Sequence, residues 1–364
     1  MLFLTHPCGV ASEKRRFSLK FAARICGAVR RSFACGKTNE NRECGASKAG
    51  EGRKTGIRGG RELKCEICPR RCGVEREKER GYCGLGETIT AARAALHYWE
   101  EPCISGKRGS GTVFFSGCVM RCAYCQNSEI SQRGVGREIS EERLSEIFLE
   151  LEEQGAMNIN LVNPTQFVPK IKKSLEEAKK QGLSVPIVYN SGGYERVETL
   201  KTLEGLVDIY LPDVKYYSEE LAVKLSKAPN YFDIAMNAVS EMIRQTGKPR
   251  FDENAEEYCG VKPLLRGTIV RHLVLPNCYK DSVEVIKRVG ERFGGEILFS
   301  LMSQYTPFGE VKSNPAFSKM NRRITTFEYK KALDAVYEAG LSGYMQEKSS
   351  AKEEYTPRFD LTGI

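Results

Sequence analysis

Six short apolar runs recur between residues 111 and 302, and stretches with a helical spacing of apolar residues separate them. Continuous apolar runs are typical of strands that are buried on both faces of a parallel sheet. The alternation therefore predicts an α/β fold of six βα units, with a parallel sheet that is closed or nearly closed into a barrel. The runs are GTVFFSG (111–117), NINLVNP (158–164), VPIVYNS (185–191), VDIYLPD (207–213), TIVRHLVLP (268–276) and EILFSLM (296–302).

Polar residues and glycines gather at the point where each predicted strand ends. In chain order these segments read SGC…CAYC, NPT, NSGGYE, PDVK, RHLVLPN and SQYTP. Since the loops after the strands build the site in a parallel barrel, the pattern predicts a single active site at the barrel mouth.

Composition divides the chain into a basic leader (1–64), a cysteine-rich cap (65–106), the barrel (107–345) and a C-terminal tail (346–364). The leader has fifteen Lys and Arg against five Asp and Glu, a net charge of +10, so with +9 for the whole chain the body has a net charge of only −1. We expect the leader to be disordered; a targeting helix or a start placed too far upstream are alternatives. Because the body is near neutral, nucleic-acid binding is disfavoured.

The chain contains no apolar run of about 18 residues, so we expect no membrane span. Its fourteen cysteines include closely spaced pairs, which favour metal or redox chemistry in a reducing compartment over extracellular disulfides. We therefore expect a cytoplasmic protein, with the leader leaving organelle targeting open.

The stretch SGCVMRCAYCQN places Cys118, Cys122 and Cys125 in a CxxxCxxC pattern. A cubane iron–sulfur cluster normally takes four thiolates, so three in one loop leave one iron open to a small molecule. The alternatives are a zinc site completed by a remote ligand and ordinary buried thiols. Tyr124, before the last cysteine, is expected to shield the cluster, to pack against a bound ring or simply to fill space.

These motifs resemble the radical S-adenosylmethionine (radical SAM) superfamily, and in particular the branch related to pyruvate formate-lyase-activating enzyme. The resemblance covers about residues 65–345 and includes EEPCISGKRGSGTVFFSGCVMRCAYCQN, NINLVNPTQ, PIVYNSGGYE, DIYLPDVKYY and VRHLVLPN. It implies a partial (β/α)6 TIM-type barrel with a [4Fe-4S] cluster on the three cysteines. It also implies that SAM binds the open iron and is cleaved to a 5′-deoxyadenosyl radical.

The resemblance further implies a set of residues that contact SAM. Asn163 stands where the family has a glutamate, so a neutral amide replaces a carboxylate, and Arg271 is expected to pair with the SAM carboxylate. His272 follows Arg271 on a strand, so we expect it on the opposite face. The implied contacts are Asn163, Ser191, Gly192, Gly193, Asp213, Lys215 and Arg271.

A second cysteine group lies in the predicted cap, in KCEICPRRCGVEREKERGYCG. Four thiols at C-x2-C-x3-C-x10-C spacing can close a metal site, so we predict zinc as a structural clip or an auxiliary iron–sulfur cluster. Simple activating enzymes of the superfamily lack this group. Its members are Cys65, Cys68, Cys72 and Cys83.

The resulting functional hypothesis is a radical SAM enzyme that abstracts hydrogen from a substrate, with activation of a glycyl radical protein as one option. Its expected partners are an electron donor such as flavodoxin or ferredoxin and a protein substrate. The alternative is a non-catalytic iron–sulfur or zinc protein that transfers electrons or docks a partner. The fold alone does not choose the substrate.

Overall fold

The computed structural model describes residues 64–346 and 356–364. The strands in this part are β1 (Ile89–His97), β2 (Ser110–Phe115), β3 (Arg137–Ile139), β4 (Ile159–Val162), β5 (Ile187–Ser191), β6 (Ile209–Pro212), β7 (Arg250–Phe251), β8 (Leu264–Leu273), β9 (Leu298–Met302) and β10 (Gly343–Met345). The α-helices are α1 (Pro102–Ser105), α2 (Ser128–Ser131), α3 (Glu141–Glu153), α4 (Val168–Lys180), α5 (Val197–Lys201), α6 (Glu219–Ser226), α7 (Tyr231–Thr246), α8 (Tyr279–Phe293) and α9 (Thr326–Glu338). Short 3-10 helices cover Thr165–Phe167, Gly294–Glu296, Gly309–Lys312 and Pro315–Met320.

The strands form one mostly parallel sheet in the order β10-β9-β8-β6-β5-β4-β2-β1-β3, with β7 paired to β8 beside it. From β2 to β10 every pair along this path is parallel, whereas β1 pairs antiparallel with both β2 and β3. The path ends at β10 and β3, so the sheet is open. This architecture confirms the predicted α/β class and is consistent with a partial TIM-type barrel.

Each of the six apolar runs overlaps one strand of the parallel sheet, namely β2, β4, β5, β6, β8 or β9, although β2 and β8 begin one and four residues before their runs. All residues of β2, β5, β6 and β9 are buried, as continuous apolar runs predict. Amphipathic helices cover the sheet, with Phe148 of α3 and Ile171 of α4 fully buried. Helix α3 packs against α4, and α8 packs against α9.

Four strands lie outside the predicted runs, and their sequences explain why. Strand β1 reads ITAARAALH, and its alanines have little of the β-branched character that marks strands. Strands β3, β7 and β10 have three, two and three residues, which is too short for a periodic pattern. Strand β1 lies within the interval predicted as the cap, and it pairs with β2; the division into cap and barrel stays a prediction.

The described C-terminal residues lie against β1. The Ala94 amide donates to the Thr362 carbonyl (2.8 Å), and the Leu361 amide donates to the Ala92 carbonyl (3.1 Å). Arg93 pairs with Asp360 at 2.7 Å. Residues 356–364 therefore contact the strand that borders β2.

Apart from Lys64, the predicted basic leader lies outside the described residues, as do residues 347–355 of the predicted tail. The expected disorder of the leader, and the alternative that it is a targeting helix, stay predictions. Among residues 64–346 and 356–364, no helix has the length and apolar character needed to cross a membrane.

Candidate active site

A cavity of about 260 Å³ lies at the carboxyl ends of the parallel strands. Its lining includes the three cysteines of the CxxxCxxC motif and six of the seven residues implied to contact SAM: Cys118, Cys122, Cys125, Asn163, Ser191, Gly192, Asp213, Lys215 and Arg271. Apolar and aromatic side chains complete the wall, among them Phe114, Met120, Tyr124, Leu273, Met302 and Tyr305. The fold thus brings together residues that are separated by more than 150 positions in sequence.

The cysteine loop connects the end of β2 to the start of α2. Gly117 (φ 76°) and Arg121 (φ 59°) have left-handed backbone conformations that turn the chain on either side of Cys118. The Ala123 amide donates to the carbonyl of Leu225, at the end of α6, over 2.8 Å. Backbone turns and this long-range hydrogen bond hold the loop at the cavity.

Each of the three cysteine sulfurs accepts one hydrogen bond. The Met120 amide donates to Cys118 Sγ at 3.3 Å. The Ser226 hydroxyl donates to Cys122 Sγ at 2.9 Å, and the Ser131 hydroxyl donates to Cys125 Sγ at 3.3 Å. Because donors to sulfur stabilise negative charge on thiolates, this arrangement suits metal-bound cysteines.

The donor set fits an iron–sulfur cluster. The three cysteines are free thiols that line one cavity. Among the described residues, no three His, Cys, Asp or Glu side chains are grouped so that they could hold a metal ion. A cubane cluster differs from a single metal ion, because each of its cysteine thiolates binds a different iron atom. The fit therefore depends on the chemistry of the donors and on the hydrogen bonds to their sulfurs.

Arg271 is the centre of a charged network on the cavity wall. Its guanidinium donates to Asp213 Oδ1 (3.1 Å), Glu100 Oε2 (2.9 Å) and Asn190 Oδ1 (2.5 Å). Lys215 Nζ pairs with the second oxygen of Asp213 at 2.5 Å. The four charged side chains are 11–17% exposed, so water screens them weakly.

Burial and charge pairing act in opposite directions in this network. Burial alone would raise the pKa of Asp213, but the charges of Lys215 and Arg271 outweigh it and hold that pKa below its ordinary value. Burial likewise opposes the charged form of Lys215, yet Asp213 raises the pKa of Lys215 above its usual range. Asp213 and Lys215 are therefore both charged near neutral pH, which leaves fixed charges of both signs at the cavity.

Other predicted residues shape the backbone around the cysteines. Asn163 has a positive φ of 59°, its Nδ2 donates to the Gly117 carbonyl (2.6 Å), and its Oδ1 accepts from the Cys118 thiol (3.8 Å). Gly193 has φ 74°, and a Cβ there would lie 2.2 Å from the Asp213 carbonyl oxygen. Gly193 does not line the cavity, and its role in the structure is this close backbone approach.

His272 lies away from the cavity, on the face opposite Arg271, as strand alternation predicts. Its Nδ1 is 2.7 Å from the Val214 carbonyl oxygen, and the side chain is buried. Burial lowers the pKa of His272 to about 4, so the imidazole is neutral at neutral pH.

Sequence reasoning missed several residues at the site. Glu100 accepts from Arg271 (2.9 Å) and from the side-chain amides of Asn160 and Asn190 (3.1 Å each). A chain of buried hydroxyls also leads to Cys122 in the cysteine loop. Tyr124 and Tyr216 share a 2.6 Å hydrogen bond, and the Tyr216 hydroxyl lies 2.6 Å from Ser226 Oγ, which donates to Cys122. The adjacent acidic pair in WEEPC was a visible signal for Glu100, whereas no local pattern marks Ser226.

The second cysteine group forms a compact unit next to the cluster loop. The Cys65 amide donates to Val74 (2.9 Å), and a Cβ on Gly81 would lie 3.4 Å from Cys72 Sγ and 3.5 Å from Cys83 Sγ. Cys68 and Cys83 are buried, whereas Cys65 and Cys72 are partly exposed. The Cys118 amide donates to the Cys83 carbonyl at 3.3 Å, so the two groups are in direct backbone contact.

Comparison with known proteins identifies the family. A family model described as the Radical SAM superfamily matches residues 112–253, which include β2 and the cysteine loop. The chain belongs to the radical SAM superfamily. This radical SAM protein is 32% identical over 279 residues to the uncharacterized protein MJ0674 of Methanocaldococcus jannaschii, covering 74% of the chain and 73% of that relative. It is 28% identical to the uncharacterized protein MJ0808 of the same organism, covering 42% of the chain and half of that relative.

Solved structures are similar at lower identity. SuiB of Streptococcus suis bound to S-adenosylmethionine gives a TM-score of 0.42 at 11% identity, covering 61% of the chain and 44% of SuiB. A domain of pyruvate-formate lyase-activating enzyme from Bacteroides vulgatus gives 0.33 at 11% identity, covering 50% of the chain and 91% of that domain. The chain thus spans less than half of SuiB.

Proposed function

We propose that this protein cleaves SAM reductively to a 5′-deoxyadenosyl radical and abstracts a hydrogen atom from a substrate. The observation that carries this proposal is one cavity that holds three hydrogen-bonded cysteine sulfurs beside a network of largely buried charges. A non-catalytic iron–sulfur protein has no need for such a network next to its cysteines. Membership of the radical SAM superfamily supports the same function.

Cys118, Cys122 and Cys125 would hold a [4Fe-4S] cluster by one thiolate each. When bound, this cluster supplies the electron that splits SAM into methionine and the 5′-deoxyadenosyl radical. The loop turns at Gly117 and Arg121 fix the cysteines in place, while Met120, Ser226 and Ser131 donate to their sulfurs.

The charged network gives the cavity groups that match both ends of SAM. The carboxylate of SAM is attracted by Lys215 and Arg271, and its ammonium and sulfonium groups by Asp213 and Glu100. Because these side chains already hold one another in place, they are organised before the ligand arrives. Asn163 Oδ1, next to Cys118, is an acceptor available to the ammonium.

For the substrate we propose a glycine of a partner protein, on the strength of the resemblance to the activating-enzyme branch. The hydrogen atom would pass from the glycine α-carbon to the radical, yielding 5′-deoxyadenosine and a glycyl radical. For the reductant we propose flavodoxin or ferredoxin, since each SAM cleavage consumes one electron. The cytoplasm is the compartment that we propose for this chemistry.

The test is an anaerobic assay of the iron-reconstituted protein with SAM and dithionite, in which chromatography quantifies 5′-deoxyadenosine and methionine. We expect the two products in equal amounts, and none with Cys118→Ala, Cys122→Ala or Cys125→Ala. Cys278→Ala is the matched control, because Cys278 is a partly buried thiol that does not line the cavity. Absence of 5′-deoxyadenosine, or its formation by the cysteine variants, would contradict the proposal.

A candidate partner protein labelled with deuterium at glycine tests the substrate separately. Transfer of deuterium into 5′-deoxyadenosine supports a glycyl substrate. If the 5′-deoxyadenosine contains no deuterium from any labelled glycine, a glycyl substrate is ruled out for that partner. The proposal that the protein cleaves SAM is not affected by this result.

A further inference from the structure

We propose that Cys65, Cys68, Cys72 and Cys83 hold a second iron–sulfur cluster, which passes electrons inward to the Cys118 loop. This inference deepens the proposed function, since it concerns how the electron reaches the cavity. It starts from the cysteine group that the active-site chemistry does not use.

The four thiols are arranged within one short unit. Cys72 and Cys83 lie on either side of Gly81, within 3.4 and 3.5 Å of the position of a Cβ there. Cys65 and Cys72 are close enough for their thiols to interact. All four are free cysteines, so their spacing is not explained by disulfides. Four thiolates are the complete ligand set of a cubane.

The unit has an outer side and an inner side. Cys65 and Cys72 are partly exposed, where a protein electron donor can approach, whereas Cys68 and Cys83 are buried. Arg70, between Cys68 and Cys72 in sequence, donates to the Val119 carbonyl (2.7 Å) and to the Ser226 carbonyl (3.3 Å). The inner side therefore packs on the cluster loop and on the residue that donates to Cys122.

A direct bonded path joins the two cysteine groups. From Cys83 Sγ the path follows covalent bonds to the Cys83 carbonyl, crosses a 3.3 Å hydrogen bond to the Cys118 amide, and continues by covalent bonds to Cys118 Sγ. Gly117 makes this approach possible, because a Cβ there would lie 2.8 Å from the Cys83 carbonyl oxygen and 2.7 Å from Leu85 Cδ1. A purely structural zinc clip requires no such contact with the redox loop.

The electron balance is simple. A reduced flavodoxin or ferredoxin would lose one electron and the second cluster would gain it. The second cluster would return to its oxidised state as that electron reduces the cluster held by Cys118, Cys122 and Cys125. No bond forms or breaks, and no proton moves, in this transfer. One electron enters for each SAM that is cleaved.

Metal content is the first test, carried out on anaerobically purified full-length protein. We expect about eight iron atoms per chain, and about four in the triple variant Cys118→Ser/Cys122→Ser/Cys125→Ser, with an electron paramagnetic resonance (EPR) signal from the remaining cluster. Retention of one zinc with about four irons in the unsubstituted protein would overturn the proposal. The triple variant keeps all four proposed ligands, so this test does not depend on how well variants of the second group fold.

The relay is tested with Cys65→Ser/Cys72→Ser, which alters the partly exposed thiols. We expect reduced flavodoxin to reduce the cluster held by Cys118, Cys122 and Cys125, here called the barrel cluster, at least about tenfold more slowly in this variant than in the unsubstituted protein, as measured by freeze-quench EPR. Dithionite, a small reductant, should still reduce this cluster fully. Cys278→Ser is the control. Undiminished reduction by flavodoxin would refute the relay. If the unsubstituted protein yields no 5′-deoxyadenosine with dithionite, the proposed function fails instead, and the metal content still decides the second cluster.

Discussion

Ser226 shows how a single hydroxyl distant in sequence becomes part of the cysteine site. It lies 104 positions from Cys122, and its hydroxyl donates to Cys122 Sγ at 2.9 Å. It is also 2.6 Å from the Tyr216 hydroxyl, which is bonded in turn to Tyr124. Hydrogen bonds to cluster sulfurs are among the factors that set the reduction potential of an iron–sulfur centre.

We predict that Ser226→Ala lowers the reduction potential of the cluster bound by the loop. The Ser226 hydroxyl stabilises the reduced cluster, which is the more negative state, and the variant loses this hydrogen bond. The net free energy of one hydrogen bond, about 0.5–1.5 kcal/mol, corresponds to a shift in reduction potential of roughly 20–60 mV for one electron. Anaerobic redox titration monitored by EPR measures the shift.

Ser145→Ala is the matched control for this prediction. Ser145 is a buried serine of α3 whose hydroxyl has no hydrogen-bond partner among the described residues, and it does not line the cavity. An equal potential in both variants, or a rise with Ser226→Ala, would contradict the role assigned to the hydroxyl.

At the scale of single residues, the sequence predicts the cysteine ligands better than it predicts the residues that hydrogen-bond to the site. The spacing of Cys118, Cys122 and Cys125 is local, so it can be read directly from the chain. Ser226 and Glu100 act through tertiary contacts with residues that are 104 and 171 positions away. No periodic or spacing signal encodes such contacts.

Among the elements, the six buried parallel strands were predictable because each is a continuous apolar run. Strand β1 was not predictable, because its alanine-rich sequence resembles a helix and its burial depends on β2 and on the C-terminal residues. Tertiary pairing therefore determines β1 where local propensity does not.

Helix α9 begins with a capping box that also anchors the neighbouring loop. The Thr325 hydroxyl accepts from the Glu328 amide, and the Glu328 carboxylate accepts from the Thr325 amide (2.8 Å). The same carboxylate accepts from the Asn277 amide (2.6 Å) and pairs with Arg322 at 2.7 Å. Glu328 thus links the start of α9 to the loop before α8.

We predict that Glu328→Gln destabilises the protein at neutral pH by about 1–3 kcal/mol and reduces its loss of stability in acid. The hydrogen bond from Arg322 is the largest influence that lowers the pKa of Glu328 to about 2 in the folded state. Because an unfolded glutamate has the higher value of 4.5, this stabilisation is present above pH 4.5 and is lost as the pH falls toward 2. Urea unfolding at a series of pH values measures it.

Glu338→Gln is the control, since Glu338 is an exposed glutamate at the other end of α9. We expect it to change the free energy of unfolding by less than about 0.5 kcal/mol. If the two variants have the same pH dependence, Glu328 does not provide the acid-sensitive stabilisation.

Across the whole molecule, Arg271 connects parts of the sheet that are distant in sequence. One guanidinium bonds to Glu100 after β1, to Asn190 of β5 and to Asp213 after β6. Arg271 therefore connects the ends of several strands around the cavity, in addition to lining the cavity itself. The sequence predicted that Asp213 and Arg271 meet at the cavity, but it predicted neither the contact with Glu100 nor the hydrogen bonds that join these residues.

We predict that Arg271→Met destabilises the protein by about 3–5 kcal/mol, because two largely buried carboxylates lose their shared cation. Adding Glu100→Gln should recover part of this loss, since it removes the charge left without its partner. The free energy of unfolding in urea measures both effects.

The control is Arg288→Met, which removes two exposed ion pairs, with Glu284 and with Glu291, and should cost less than about 1 kcal/mol. A comparable loss for the two arginines would show that the buried network does not stabilise the fold.

The central claim is that three cysteines of one loop hold a cluster that leaves one iron open to SAM. EPR of the anaerobic, dithionite-reduced triple variant Cys65→Ser/Cys68→Ser/Cys83→Ser tests it most directly, because only the barrel cluster then contributes a signal. We predict a [4Fe-4S] signal that changes when SAM is added and is abolished by the further change Cys122→Ala. A missing cluster, or a signal that SAM does not alter, would contradict the claim.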